Sequence, residues 1–227
     1  MMIVACQTVQ EELRLAIKQT GVNYPVIYIE SGLHNQPGSL RREIQETIDR
    51  IDNVTTILLV FGYCGNSLLG VKSSKFKMVL PRVDDCIALL LGSGDVRKKI
   101  SREIGTYFLT KGWLDGESNL LQEYQRCIVL YGEQRATRIM QTMLKHYGRF
   151  MVIDTGAYPV ESITASTQEF AKKHNKRHEV APGCLRLFHK LLLEQWDEEF
   201  IILEPGQEIT IDDICSGGSG ISQLTMG

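Results

Sequence analysis

The stretch Thr55–Gly70, "TTILLVFGYCGNSLLG", decides the reading of the whole chain. It opens with a continuous β-branched and aliphatic run, Thr55–Val60, followed by Phe61 and Gly62. Unbroken apolarity without alternation predicts a strand buried on both faces, as in a parallel sheet covered by helices. Cys64 follows on a turn with little side-chain bulk, between Gly62 and Gly65. A cysteine placed for packing belongs inside the run, and this one lies beyond its end.

The pattern extends outward from this strand in both directions. "MMIVAC" (1–6), "YPVIYIES" (24–31) and "FKMVLP" (76–81) read as further short strands. Between them, Leu13, Leu15 and Ile17 mark an amphipathic helix stopped by Gly21. Leu40, Ile44, Ile48 and Ile51 recur at helical spacing in the next connection. "DDCIALLLGS" (84–93) and "DVRKKISREIG" (95–105) read as helices, and 106–119 as a less regular stretch. "LLQEYQR" leads into "CIVLYG" (127–132), a strand or buried helix, and Ala136, Ile139, Met140, Met143 and Leu144 form one helical stripe. "RFMVIDTG" is a strand, 159–175 and 184–196 are helices, and "EFIILEPG" is a final strand. This alternation predicts an α/β fold with a mostly parallel sheet and helices on both faces, a Rossmann-like three-layer sandwich. The expected domain spans 1–212, followed by a flexible Gly/Ser-rich tail, 213–227.

Composition excludes several classes. The 227 residues are 43% hydrophobic and 23% charged, with net charge −2 and a pI near 6.2. No clustered basic face for nucleic acid stands out, since "VRKKISR" and "AKKHNKRH" are short and mixed. No segment reaches the ~18 apolar residues of a membrane span. The N-terminus lacks a basic leader and apolar core, so a cytoplasmic protein is expected. Of the six cysteines none forms a CxxC pair, and without an export signal thiol or metal chemistry is expected before disulfides.

Parallel sheets bind ligands at the carboxyl ends of their strands. Cys6 closes the first strand, His34 lies past the second, Cys64 past the third and Cys86 past the fourth. Parallel strands bring these ends to one rim, so three thiols and an imidazole converge there. Such a set suits zinc as Cys3His, and three thiols alone suit a [4Fe–4S] cluster with one open iron. A turn leading toward a helix is expected to lower a thiol pKa. Cysteine is also among the most buried residue types, so chance assembly in a core is the plain alternative. Packing is the reading for Cys127, Cys184 and Cys215. Arg82, Asp84 and Asp85 stand beside Cys86, and Asp154 ends a later strand toward the same rim. Asp84 or Asp85 is placed to cap the following helix or to orient a metal-bound imidazole. "LLGSGDVRKKI" lacks the P-loop lysine pattern, and Trp113, His146 and Tyr147 read as packing residues.

The segments "ACQTVQEEL", "ESGLHNQPGSL", "FGYCGNSLLG", "LPRVDDCIALLLGS", "GTYFLTKGWL", "KHYGRFMVIDTG" and "WDEEFIILEPGQEI" together resemble the domain-of-unknown-function family 1638. The resemblance runs from Cys6 to the final strand, and it implies a setting in methanogens and anaerobic bacteria. It also implies a neighbourhood of corrinoid-dependent methyl transfer and one-carbon metabolism, with a corrinoid protein or methyltransferase as partner. Cys6, His34, Cys64 and Cys86 fall on the family's motif positions, with no role attached.

Three functions follow as expectations. The first is a metal- or iron–sulfur-binding protein using the four rim residues, with Asp84 or Asp85 tuning the site. The second is a non-catalytic module binding a small molecule or a partner. The third is a thiol enzyme with Cys64 as nucleophile and His34 as base.

Overall fold

The computed structural model describes residues 1–30, 32, 36–116 and 119–215. His34, Ser216–Gly227 of the expected tail, and positions 31, 33, 35, 117 and 118 lie outside the described residues.

The continuous run at Thr55–Gly62 forms β3 (Thr56–Val60), and all five of its residues are buried. Each fully buried aliphatic side chain there contributes roughly 1.5–3 kcal/mol. β3 lies inside a five-stranded sheet with β1 (Met2–Cys6), β2 (Val26–Ile29), β4 (Lys77–Pro81) and β8 (Phe200–Leu203), in the order β2-β1-β3-β4-β8. β2, β1, β3 and β4 are parallel, and β8 closes the edge antiparallel to β4.

A 3-10 turn, Gln7–Val9, leads from β1 into α1 (Gln10–Thr20). Gly21, at φ +72°, ends α1 by donating its amide to the Ile17 carbonyl, a conformation glycine adopts freely. α2 (Pro37–Arg50) starts on a proline, whose fixed φ suits the first helical turn. It buries Leu40, Ile44 and Ile48, the stripe read from the sequence. The chain steps from β1 outward to β2, then crosses back over β1 to reach β3. Right-handed crossovers in opposite directions place α1 and α2 on opposite faces of the sheet.

After β4 come α3 (Cys86–Leu90) and α4 (Gly94–Glu103), and then a second sheet. It has three parallel strands, β5 (Thr106–Leu109), β6 (Arg149–Asp154) and β7 (Arg177–Pro182), with β6 in the centre. The strands read as one sheet are therefore divided between two, within the expected mostly parallel α/β architecture. α5 (Lys111–Leu114), α6 (Leu120–Tyr131) and α7 (Glu133–Met143) connect β5 to β6, and α8 (Glu161–Lys173) connects β6 to β7. α9 (Arg186–Leu192) packs against α1, and α10 (Ile211–Cys215) follows β8.

One face of the second sheet, through Phe108, Met151 and Ile153, joins the core built on the first sheet. Its other face, through Leu109, Phe150 and Val152, packs with α6, α7 and α8 into a second core cluster. β5 and β7 lie inside stretches that showed no strand signal. β5 has four residues before Thr110 starts a helix, and β7 is a half-exposed strand with charged residues and a terminal proline. Both are too short or too polar for periodicity to register. "CIVLYG" is the end of α6 with Val129 84% exposed, rather than a strand or a buried segment. Among the described residues no helix is long and apolar enough to cross a membrane.

Candidate functional site

The first sheet reverses its winding direction between β1 and β3, and such a switch point opens a crevice at the carboxyl ends of the two strands. Cys6 ends β1 at this crevice and is fully buried. Its sulfur lies 2.8 Å from the Thr8 hydroxyl, the two sharing one proton as a hydrogen bond. Cys64 follows the end of β3, half-buried, and Cys86 opens α3 just after β4. The Cys64 and Cys86 sulfurs are 3.8 Å apart. Cys86 also contacts Cys6, and this side-chain hydrogen bond is the first cause pushing the Cys6 thiol well above its ordinary range. The structure thus brings Cys6, Cys64 and Cys86 together around Cys86.

The loops after β3 and β4 stay zipped beyond the strands. The amides of Tyr63 and Cys64 donate to the carbonyls of Val83 and Asp84, at 3.0 and 2.9 Å. This approach is possible because residue 62 is glycine. A Cβ there would stand 2.2 Å from the Asp85 carbonyl carbon. Cys64, Gly65 and Asn66 then all adopt positive φ, at +44°, +66° and +72°. For Cys64 this left-handed backbone costs about 1–2 kcal/mol, a strain held by the loop pairing.

Asp85 caps α3 by accepting the Ala88 amide at 2.8 Å, and its other oxygen accepts from Arg97 Nε at 2.7 Å. It fixes the first turn of the helix that carries Cys86. Asp84 pairs with Lys98 at 3.2 Å. The Arg82 guanidinium donates to the carbonyls of Glu198, Phe200 and Asp213, fastening β4 to its neighbour. The Asp154 carboxylate accepts the Gly156 amide at the end of β6, in the second sheet. Cys127 is partly buried against the second core cluster. The Cys184 sulfur occupies the space a side chain on Gly92 would need.

A cavity of about 320 Å³ opens over the thiols. Cys64, Cys86 and Thr8 line it from the first sheet. Thr110 and Trp113, at and within α5, line it from the second. The two sides meet closely, since a Cβ on Gly112 would lie 2.1 Å from the Thr8 carbonyl oxygen. Trp113, read from the sequence as a packing residue, is therefore a wall of the site.

Glu12 was not singled out in the sequence. It is fully buried one helical turn after Thr8, and Oε1 accepts from the Thr155 hydroxyl at 3.0 Å. Oε2 has no hydrogen-bond partner among the described residues. Burial pushes its carboxyl above the usual glutamate range. The available signal was positional: Glu12 is spaced four residues from both Thr8 and Ala16, on the buried face of α1.

Cys64 is also pushed well above the ordinary thiol range, first by its hydrogen bond to Cys86 and then by desolvation. The expected lowering of thiol pKa does not hold for Cys6 and Cys64. A thiol crowded by other thiols in an apolar site is stabilised in its neutral form.

Two sulfurs on one tetrahedral metal, each bound at ~2.3 Å, stand ~3.8 Å apart, so the Cys64–Cys86 spacing fits a dithiolate donor pair. Among the described residues, no group of three or more His, Cys, Asp or Glu side chains is arranged as around a metal ion. The family model described as a protein of unknown function, DUF1638, matches residues 28–192 of the chain. No curated protein and no solved structure matches it.

Proposed function

We propose that this chain, which belongs to the DUF1638 family of proteins of unknown function, binds a soft metal at the switch crevice of its first sheet. Cys6, Cys64 and Cys86 would supply thiolates, and His34 would complete or gate the site. The observation that carries this reading is the 3.8 Å spacing of Cys64 and Cys86 on the cavity wall, with Cys6 against Cys86. Mononuclear zinc is favoured over a [4Fe–4S] cluster. Cluster cysteines each bind a different iron and stand farther apart than two ligands of one ion. When bound, zinc would act as a Lewis acid toward a ligand entering from the cavity.

The chain's own residues serve this site by positioning. Thr8 orients the Cys6 sulfur. Asp85, held by Arg97, fixes the helix start that presents Cys86. Gly62 allows the loop pairing that sets Cys64 beside it. These supports leave the donors preplaced, which reduces the ordering cost of binding. The metal must displace protons from thiols that hold them tightly, so binding strengthens with rising pH.

The cavity itself supports a second reading, a module that binds a small molecule without catalysis. The thiol-enzyme reading needs a base beside Cys64, and the expected one, His34, lies outside the described residues. Reduced thiols suit a cytoplasmic setting. Service to corrinoid-dependent methyl transfer, beside a corrinoid protein or methyltransferase, is the context implied by the family resemblance.

The test is metal analysis of protein purified without oxygen. About one zinc per chain and no colour is expected, with loss of metal in Cys64→Ser and Cys86→Ser. A brown protein with iron and sulfide would instead indicate a cluster. Full metal retention in the Cys6, Cys64 and Cys86 serine variants would sink the metal reading.

A further inference from the structure

We infer that Cys64 and Cys86 form a reversible dithiol–disulfide couple, and that this couple reduces a small organic disulfide entering from the cavity. The inference goes beyond the metal reading and does not need a metal.

Distance is the first support. The two sulfurs stand 3.8 Å apart, close to van der Waals contact, and a disulfide needs about 2.05 Å. Their backbones are already neighbours. The Cys64 amide donates to the Asp84 carbonyl at 2.9 Å, two residues before Cys86. The Cys86 amide is in turn hydrogen-bonded to the Cys64 sulfur. Small side-chain rotations then close the remaining gap, with no movement of β3 or β4.

Access is the second. Cys64 and Cys86 both line the cavity, whose volume of about 320 Å³ leaves room for a small disulfide. Cys64 is half-buried, whereas Cys86 is only 9% exposed. An incoming disulfide therefore meets Cys64 first. Cys6, the third thiol, also contacts Cys86, but it is fully buried and does not line the cavity. Its backbone is paired in β1 opposite Ile29, and its sulfur is hydrogen-bonded to Thr8. Cys6 thus backs the pair from behind without taking part.

The oxidised form also suits its surroundings. A disulfide carries no charge, so beside Ile87, Leu90 and Trp113 it avoids the desolvation cost that thiolates pay.

The exchange runs in two balanced steps. The Cys64 sulfur attacks one sulfur of the disulfide R–S–S–R. A Cys64–S–R bond forms, the R–S–S–R bond breaks, and R–SH leaves with the Cys64 proton. The Cys86 sulfur then attacks the Cys64 sulfur. The Cys64–Cys86 bond forms, and a second R–SH leaves with the Cys86 proton. The protein loses two electrons and two protons, and the organic disulfide gains them. Excess organic thiol returns the couple to its reduced form by the reverse exchange.

The experiment uses the full chain, purified without oxygen and treated with a chelator so that bound metal does not occupy the thiols. The probe is 2-hydroxyethyl disulfide. After the remaining thiols are alkylated, non-reduced peptide mapping reads which sulfurs are joined. A Cys64–Cys86 crosslink is expected, at least tenfold more abundant than any other cysteine pair, and dithiothreitol should reverse it. In Cys86→Ser the reaction should stop at a 2-hydroxyethyl adduct on Cys64, which separates attack from closure. A predominant Cys6–Cys86 crosslink overturns the inference. So does a stable adduct on wild-type Cys64 without closure, and so does folded wild type whose Cys64 and Cys86 stay unmodified. A folded Cys86→Ser with no adduct on Cys64 overturns it as well. The wild-type crosslink decides the matter even where Cys86→Ser fails to fold. Failure of the chain to bind zinc overturns the metal reading and leaves this inference intact.

Discussion

Gly62 and Asp85 approach so closely that a single methyl group on Gly62 would lie 2.2 Å from the Asp85 carbonyl carbon. The clash is with backbone, which cannot rotate aside. Gly62→Ala is therefore expected to cost at least about 2 kcal/mol, at the upper end of overpacking penalties. It should also separate Cys64 from Cys86. Gly94→Ala is the contrast, because that glycine starts α4 with open space around it. It should be neutral or stabilising by up to about 1 kcal/mol. Thermal and urea unfolding of the two variants, with metal content, checks the pair.

Asp85 acts on the site through the helix start it caps. Asp85→Ala should destabilise the protein by about 1 kcal/mol from the lost cap. It should also weaken zinc binding by roughly 10- to 100-fold, as supporting-residue changes do, although no donor is removed. Asp85→Asn keeps a capping oxygen and should recover most of both. Competition with a zinc-binding dye measures the affinities. Equal zinc affinity in wild type and a folded Asp85→Ala would show that the cap does not position Cys86.

Glu12 carries a pH signature. Its folded pKa is raised by burial above the usual value of 4.5, so the folded state holds a proton that the unfolded state releases. Stability should therefore fall as pH rises from about 4.5 toward the folded pKa. Glu12→Gln should remove that slope and be the more stable protein at neutral pH. Parallel slopes for the two proteins in denaturation measured from pH 4 to 8 would refute a buried, strained carboxyl.

Glu199 shows the opposite sign. Arg186 donates to its Oε1 at 2.6 Å, and Lys190 to Oε2 at 2.6 Å. Chiefly through Arg186, its carboxyl is lowered from 4.5 to about 2. The stabilisation is complete above pH 4.5 and is lost as pH falls toward 2. The group is about one-third exposed, so solvent screening limits the effect to about 1 kcal/mol or less. Glu199→Gln should be less stable than wild type at pH 7, with the gap closing by pH 2.

Much of the site was legible because one regularity carried it. Parallel strands end on the same side, so placing Cys6, Cys64 and Cys86 after three such strands was enough to bring them to one rim. The strands were readable because "TTILLVFG" and its partners are buried on both faces. β5 and β7 were not, because short or half-exposed strands leave no continuous apolar trace. Thr8 and Trp113 lacked a signal of their own, and Glu12 had only its position on the buried face of α1. Their role depends on the second sheet approaching the first, and nothing local in "FLTKGWL" reveals that Gly112 rests on Thr8.

The sequence by itself determined the α/β alternation, the parallel core and the gathering of the thiols, because these follow from hydrophobic period and chain direction. Only the tertiary structure decided that the strands divide into two sheets and that a cavity forms between the loops past β3 and β4 and the start of α5. The tertiary structure likewise decided that Cys86 lies within reach of both Cys6 and Cys64 and that Gly62 is where the loop passes against the Asp85 backbone. Those outcomes depend on distances between segments remote in sequence, where a few ångströms set desolvation, steric exclusion and the strength of each contact.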